Sequence, residues 1–172
     1  YFRYCKEHDC VPDFCAFHFY PHDFEHTEAD FDKLFAQQSA SPIELLDDPD
    51  AVSTMLDRIQ IKLAKLGLEH LELVLDKWNS TVWQHDLCND TAYKGAFIAK
   101  TALEYMHRVS MMGYGLYSDF VEELPPRETF YGGHGVVTYN GLYKPGYWVM
   151  RLLTMLRGRV LQQGDGYYLM KD

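Results

Sequence analysis

The 172-residue sequence has few cysteines, few basic residues and no long apolar run, and each scarcity excludes a class of protein. The four cysteines match no zinc or disulfide spacing, and so low a count favours a reducing compartment. Only 16 basic residues stand against 25 acidic ones, and a net charge of -9 argues against nucleic-acid binding through this segment. No apolar run is long enough to span a membrane and no signal peptide is evident, so we expect no membrane partner and a cytoplasmic location.

The composition predicts an ordered protein. Apolar residues make up 47% of the chain, and 172 residues suffice for one domain with a sizeable core. Aromatic residues reach 15%, mostly tyrosine and phenylalanine, which fits either a thick aromatic core or a carbohydrate cleft lined with rings. The first residue, Tyr1, is not methionine and falls within a predicted helix, so we expect the chain to begin inside something larger.

The stretch Leu71–Ser80 is the centre of the predicted architecture. Its leucines and Val74 suit a strand buried on both faces, which is typical of a parallel sheet covered by helices. Asp76 and Lys77 stand at the carboxyl end of this strand, where α/β proteins place their chemistry. The alternative is a strand that runs into an ordinary surface loop.

The rest of the sequence alternates between helix and strand patterns. We predict helices over residues 1–8, 50–66, 90–107 and 145–156, strands over 14–20, 71–76 and 110–117, and a hairpin over 159–170. Residues 22–49 are interpreted as an acidic loop with a short helix near 31–37. In the second helix the apolar positions 52, 55, 56, 59, 63 and 66 mark the expected buried face, and Gly67 is expected to end this helix. In the third helix the expected buried face is marked by the apolar positions 93, 96, 97, 103 and 106. Such alternation predicts parallel strands with right-handed crossovers, and three strands cannot close a barrel, so we expect them to belong to a larger sheet.

Five stretches, in order along nearly the whole chain, resemble glycoside hydrolase family 39, the β-xylosidase-like enzymes. They are Pro12–Pro21, Trp78–Ser80 with Asn89–Lys94, Tyr117–Glu123, Gly132–Tyr147 and Gly158–Tyr167. The resemblance implies an α/β fold, a (β/α)8 TIM barrel with its sugar site at the carboxyl ends of the strands. Residues 1–157 would supply about strands six to eight, and residues 158–172 would open an accessory β-domain.

The resemblance also implies partners. The acid/base motif Asn-Glu-Pro, which the family carries near strand four, is absent from this sequence. We therefore expect the chain to pair with the missing amino-terminal half of the barrel or with a second copy of itself. The ligand implied is a small sugar or xylo-oligosaccharide.

Lys77 is the decisive departure from the family pattern, because it stands where the family has its attacking glutamate. An ammonium group cannot form the glycosyl ester, and its charge opposes an oxocarbenium-like transition state. Asp76 lies one residue earlier, but strand alternation would point it to the opposite face and its side chain is shorter. Gly115 takes the place of a family aromatic, usually tryptophan, and so removes a wall of the sugar subsite.

Other positions match sugar contacts of the family. His18 and Tyr20, two apart on one strand face, would bind the sugar, with a packed core pair as the alternative. Glu122 matches a glutamate that accepts hydrogen bonds from sugar hydroxyls, unless it is a solvated loop acid. Trp83 would lie over the cleft, unless it is an exposed hydrophobic residue. Asp76 is counted with these substrate contacts.

No cofactor is implied, and no metal site is expected. His18, His22 and His26 recur every four residues, as metal ligands on a helix can, but Pro21 and the strand before it break that geometry. Gly132-Gly133-His134-Gly135 is glycine-rich but lacks the strand and helix context of a phosphate loop. The three cysteines near the start of the chain are interpreted as buried small hydrophobic residues.

Three functional hypotheses follow. The main one is a sugar-binding barrel domain that has lost catalysis, such as the sensing part of an AraC-type transcriptional regulator. The alternative is the carboxyl-terminal part of an active family 39 β-xylosidase that hydrolyses xylosides with retention. A third is a remnant that does nothing alone.

Overall fold

The structure is a computed structural model that describes residues 1–21, 48–122, 128–164 and 166–172. In these ranges, four α-helices and five strands follow one another along the chain. The helices are α1 (Phe2–Glu7), α2 (Ala51–Ala64), α3 (Ala92–Tyr105) and α4 (Pro145–Leu153). The strands are β1 (Phe14–Phe19), β2 (Glu72–Trp78), β3 (Met111–Tyr114), β4 (Arg159–Gly164) and β5 (Tyr167–Lys171). The loop and short helix expected within 22–49 fall outside the described residues, except for positions 48 and 49.

The described chain forms two compact units. The first contains Tyr1–Val82 and Tyr105–Gly115, and the second contains Trp83–Glu104 and Leu116–Asp172. The sequence-based boundary at residue 157 differs from this division and stays a prediction. No helix among the described residues is both long and apolar enough to cross a membrane.

The first unit is built on a parallel sheet with the strand order β1-β2-β3. The predicted parallel pairing of three consecutive strands is therefore confirmed. Burial in β2 is less complete than expected, because Leu73, Leu75 and Trp78 are buried while Val74 is only partly covered and Glu72 is exposed. The third strand is shorter than the predicted 110–117 and ends at Tyr114.

Helix α2 buries the face that its pattern predicts and ends at the predicted glycine. Val52, Leu56 and Leu63 are at most 4% exposed, at the four- and seven-residue spacing of one helix face. Gly67 has a φ of 67°, and the Leu68 N–H donates to the Leu63 carbonyl at 2.9 Å. This is a Schellman ending, in which glycine adopts the left-handed conformation at no steric cost.

In the second unit, the predicted buried face of α3 is wrong. Three residues at helical spacing are buried instead, namely Lys94, Ile98 and Thr101. The reason is a close approach of α3 to α4 through glycine. A Cβ atom added to Gly95 would lie 3.1 Å from Val149 Cγ2, and one added to Gly146 would lie 2.9 Å from Ile98 Cδ1. Because Gly95 and Gly146 have no side chains, α3 and α4 approach closely at these positions, and the face of α3 that carries Gly95 becomes the buried one.

The carboxyl-terminal hairpin is confirmed, since β4 and β5 pair antiparallel. Every described residue of β4 is exposed. A two-stranded hairpin is marginally stable by itself. Its assignment to an accessory β-domain stays a prediction.

Candidate functional site

A β-bulge shapes the carboxyl end of β2. Phe17 pairs with Leu75, but the next residue of β1, His18, pairs with Lys77, so Asp76 is the extra residue on β2. The register shifts on the other side as well, between Leu75 and Trp78. A bulge leaves the extra residue unpaired and re-aims its side chain.

The bulge brings the Asp76 carboxylate to His18. The distance from His18 Nε2 to Asp76 Oδ2 is 3.3 Å. The two side chains are 58% and 38% exposed, so solvent screens the pair and it contributes at most about 1 kcal/mol to stability. Strand alternation is therefore a wrong guide to which way Asp76 points. The pair offers a donor and an acceptor to a ligand at the strand ends.

Lys77 and Tyr20 lie at the same end of the sheet. Lys77 is partly buried and is the register partner of His18. Tyr20 directly follows the last residue of β1, Phe19, and is partly buried. The sheet thus brings four predicted site residues to neighbouring strand ends of the first unit. Their roles in sugar contact stay predictions.

Gly115 lies against the residues that follow β2. Its N–H donates to the Trp78 carbonyl at 3.0 Å, and a Cβ atom would stand 3.1 Å from Asn79 Nδ2. Asn79 is fully buried, and its Oδ1 accepts from the Ser80 N–H at 2.8 Å and the Tyr114 hydroxyl at 3.4 Å. Asn79 thus ties down the loop, and a large side chain at Gly115 would have to displace it.

Trp83 belongs to the second unit and is only 1% exposed, so the exposed-hydrophobic alternative is wrong. Its ring lies edge to face with His85 at 6.0 Å, and His85 in turn packs on Tyr131 at 5.5 Å. The indole is a packed residue of this aromatic cluster. A place over a sugar cleft stays a prediction.

Glu122 also belongs to the second unit and is not a solvated loop acid. Its Oε1 accepts from the backbone N–H of His134, and its Oε2 is shielded from solvent. Burial, with a smaller contribution from the charge of Asp119, raises the pKa of the Glu122 carboxyl to about 8. The side chain is therefore mostly protonated at neutral pH and can donate as well as accept a hydrogen bond.

The most extensive buried polar contacts in the second unit converge on Lys144. Its ammonium group is fully buried and lies 2.7 Å from both Asp90 Oδ1 and Asp119 Oδ2. It also donates to the Gly133 carbonyl at 2.9 Å. Burial raises the pKa of the Asp119 carboxyl, an effect that the adjacent Lys144 ammonium opposes. One cation thereby holds three separate loops. We call Lys144, Asp90, Asp119 and Gly133 the Lys144 cluster.

The glycine-rich segment closes around this cluster. Gly132 N–H donates to Asp90 Oδ2 at 2.7 Å, and Gly135 N–H donates to Asp119 Oδ1 at 2.8 Å. A Cβ atom at Gly133 would lie 2.5 Å from Asp119 Cγ. The backbone N–H groups of this segment thus bind anions, and the anions are the Asp90 and Asp119 carboxylates of the chain itself. Glycine is needed there for close approach.

Lys94 is a second buried cation of the unit. It is 1% exposed, and burial lowers the pKa of its ammonium group to about 7, with a further lowering by Lys144. The sequence analysis missed Lys94 and Lys144 because a lysine is ordinarily exposed. The one available signal was the position of Lys144 directly before the helix-opening Pro145, between Gly141 and Gly146.

No group of three histidine, cysteine or acidic side chains in the described ranges could hold a metal ion. His22 and His26 lie outside those ranges.

A parallel sheet with polar residues at the carboxyl ends of its strands is the arrangement of an α/β barrel protein. Residues 1–166 match the model of the Glycosyl hydrolases family 39. The chain belongs to this family, and the resemblance found in its sequence is confirmed.

Similar proteins agree with this assignment. The chain is 23% identical over 167 residues to a β-xylosidase of Geobacillus stearothermophilus, covering 96% of this chain and 32% of that protein. It is 24% identical to a β-xylosidase of Caldicellulosiruptor saccharolyticus, covering 92% and 30%. The chain thus spans about a third of the length of these relatives.

Solved structures show the same fold. A monomeric β-xylosidase from Caulobacter crescentus CB15 has a TM-score of 0.83 at 24% identity, over 99% of this chain and 34% of that one. A GH39 enzyme from Xanthomonas axonopodis pv. citri has a TM-score of 0.81 at 22% identity, over 99% and 33%. The predicted fold, part of a TIM barrel, is confirmed.

Proposed function

We propose that this chain forms part of the sugar-binding face of a family 39 barrel, and that this face binds a xylose-type sugar without cleaving its glycosidic bond. The observation that carries the proposal is Lys77, the residue at the strand end where the family has its attacking glutamate. Two curated relatives are named β-xylosidases, which supports a xylose or xylo-oligosaccharide ligand.

The chemistry of Lys77 explains how the chain could bind a sugar without cleaving its glycosidic bond. A retaining glycosidase needs two carboxyl groups roughly 5 Å apart, one of which attacks the anomeric carbon. Lys77 can neither form the ester nor stabilise the positive charge that develops on the sugar ring. Recognition of hydroxyl groups needs only donors and acceptors, which the accessible His18 and Asp76 side chains supply.

The alternative is an active β-xylosidase in which Asp76, or an acid outside this sequence, is the nucleophile. The bulge favours this alternative, because it turns the Asp76 carboxylate toward His18.

Hydrolysis of an aryl β-xyloside by the full-length protein distinguishes the two functions. We expect no turnover above background from the wild type and a trace of turnover from Lys77→Glu. Wild-type turnover at enzyme-like rates of about 1 per second or more, abolished in Asp76→Asn, would establish the alternative instead.

Titration calorimetry with xylose and xylo-oligosaccharides tests the binding function. We expect binding heat that His18→Ala abolishes. The matched control is His107→Ala, an exposed histidine before the amino end of β3, which should bind like the wild type. Absence of binding to any pentose or hexose would leave only the remnant hypothesis.

A barrel that binds sugar without cleaving it would suit the sensing part of an AraC-type regulator. DNA binding by the full-length protein that changes on addition of the bound sugar would support this role. DNA binding must come from residues other than these, given the net charge of -9.

A further inference from the structure

Two cysteines lie side by side because of the way α1 ends. After the helix, Asp9 adopts the left-handed backbone conformation, with a φ of 52°. The Cys10 N–H then donates to the Cys5 carbonyl at 2.9 Å. This is the six-to-one hydrogen bond of a Schellman motif, which usually brings the side chains at these two positions into contact.

Helix α2 ends in the same motif and shows what normally fills the two positions. There the hydrogen-bonded residues are Leu63 and Leu68, which are 3% and 4% exposed. At the end of α1, two thiols replace this apolar pair, close enough for Cys5 to raise the pKa of the Cys10 thiol. The expectation that all three early cysteines are buried is wrong for Cys10, which is exposed, whereas Cys5 is 3% exposed.

We propose that Cys5 and Cys10 form a reversible intramolecular disulfide under oxidising conditions. The backbone hydrogen bond holds the two residues close to the range in which disulfides occur, a Cα separation of roughly 4.4–6.8 Å. The exposed Cys10 is accessible to an oxidant, and the buried Cys5 is placed to resolve the intermediate. The bond ties the end of α1 to the turn that leads into β1, the strand that carries His18.

The oxidant required is a small-molecule disulfide, such as oxidised glutathione. The Cys10 thiolate attacks one of its sulfur atoms, which forms a mixed disulfide and releases one glutathione thiolate that takes up a proton. Cys5, deprotonated in turn, attacks the Cys10 sulfur and displaces the second glutathione as a thiol. Two protein thiols are oxidised to one disulfide, and one glutathione disulfide is reduced to two thiols.

The thiol chemistry predicts how the rate depends on pH. Local desolvation raises the pKa of the Cys10 thiol, and the neighbouring Cys5 thiol raises it further. Because the thiolate is the attacking species, oxidation should accelerate as the pH rises through neutrality.

Peptide mass spectrometry tests the proposal on the full-length protein. The protein is incubated with oxidised glutathione, free thiols are alkylated, and the protein is digested with trypsin without reduction. Trypsin cuts after Lys6, between the two cysteines, so a disulfide keeps the peptide Tyr4–Lys6 joined to the one that begins at Glu7. Dithiothreitol should separate them.

Two serine variants identify the bond, because Cys15 lies in the same tryptic peptide as Cys10. We expect the joined peptides in the wild type and in Cys15→Ser and none in Cys10→Ser. Joined peptides in Cys10→Ser, only glutathione adducts in the wild type, or no oxidation at all would each overturn the proposal. Fragmentation of the wild-type product assigns the bonded cysteine even if a variant fails to fold.

Discussion

Replacement of Lys144 by methionine should strongly destabilise the protein, because it leaves two buried carboxylates without their cation. Lys144 is fully buried, Asp119 is fully buried, and the Asp90 side chain is 8% exposed. Removal of one partner from a buried ion pair typically costs about 3–5 kcal/mol. We expect Lys144→Met to lower the free energy of unfolding by that amount, a large share of the roughly 5–15 kcal/mol that holds a typical domain folded.

Lys100→Met is the matched control, since it removes a lysine of the same unit that pairs with Glu104 one helical turn away. Those side chains are 36% and 41% exposed, so the control should cost less than about 1 kcal/mol. Urea unfolding of the full-length protein, monitored by circular dichroism, measures the loss of unfolding free energy in each of the two variants.

Two further measurements isolate the electrostatic cause. The cost of Lys144→Met should shrink at acidic pH, where the stranded carboxylates become protonated, and Asp119→Asn added to Lys144→Met should recover part of the loss. A Lys144→Met variant no less stable than Lys100→Met would refute the reasoning, as would a loss that does not change with pH.

Three other comparisons test Gly135, Glu122 and Lys94 of the second unit through the stability of the full-length protein. Gly135→Ala should lower the free energy of unfolding more than Gly141→Ala, because a Cβ atom at Gly135 would lie 2.5 Å from the Ser118 carbonyl carbon. A Cβ atom at Gly141 would meet nothing within 4 Å, so only the φ of 82° opposes a side chain there. Equal urea midpoints of the two variants would contradict this expectation. In the wild type, stability should fall between pH 4.5 and about 8, because the pKa of Glu122 is higher in the folded state than in the unfolded state. Glu122→Gln should flatten this fall. An unchanged pH profile of stability would show that Glu122 ionises normally. In the wild type, stability should rise between pH 7 and about 10.5, because Lys94 loses its proton at a lower pH in the folded state than in the unfolded state. Lys94→Met should remove this rise. A rise that persists in the variant would show that another group causes it.

The sequence predicted well wherever a local rule sufficed. The stripe of α2, its glycine ending at Gly67 and the start of α4 at Pro145 each depend on residues within a few positions of one another. The parallel pairing of the strands also followed, because alternating strands and helices leave few possible topologies. The family assignment followed from motifs whose order along the chain was visible.

The errors arose where distant segments meet. The pattern of α3 pointed to an apolar face, but the contact made through Gly95 and Gly146 buries Lys94 instead. Strand alternation separated Asp76 from His18, but the bulge joins them. Neither the contact nor the bulge has a signature within a short window of residues, because each depends on the partner segment.

The amino-acid sequence by itself determined that this is an α/β chain of glycosyl hydrolase family 39, and it predicts that Lys77 stands where the family has its attacking glutamate. It could do so because secondary structure and residue identity are local properties. Only the tertiary structure decided that Asp76 reaches His18, that Lys144 binds two buried acids, and that Cys5 meets Cys10. Strand register and helix endings set the distances between these residues. The electrostatic energy of a charged group and the reactivity of a thiol depend on the atoms within a few ångströms, so only the tertiary structure determines them.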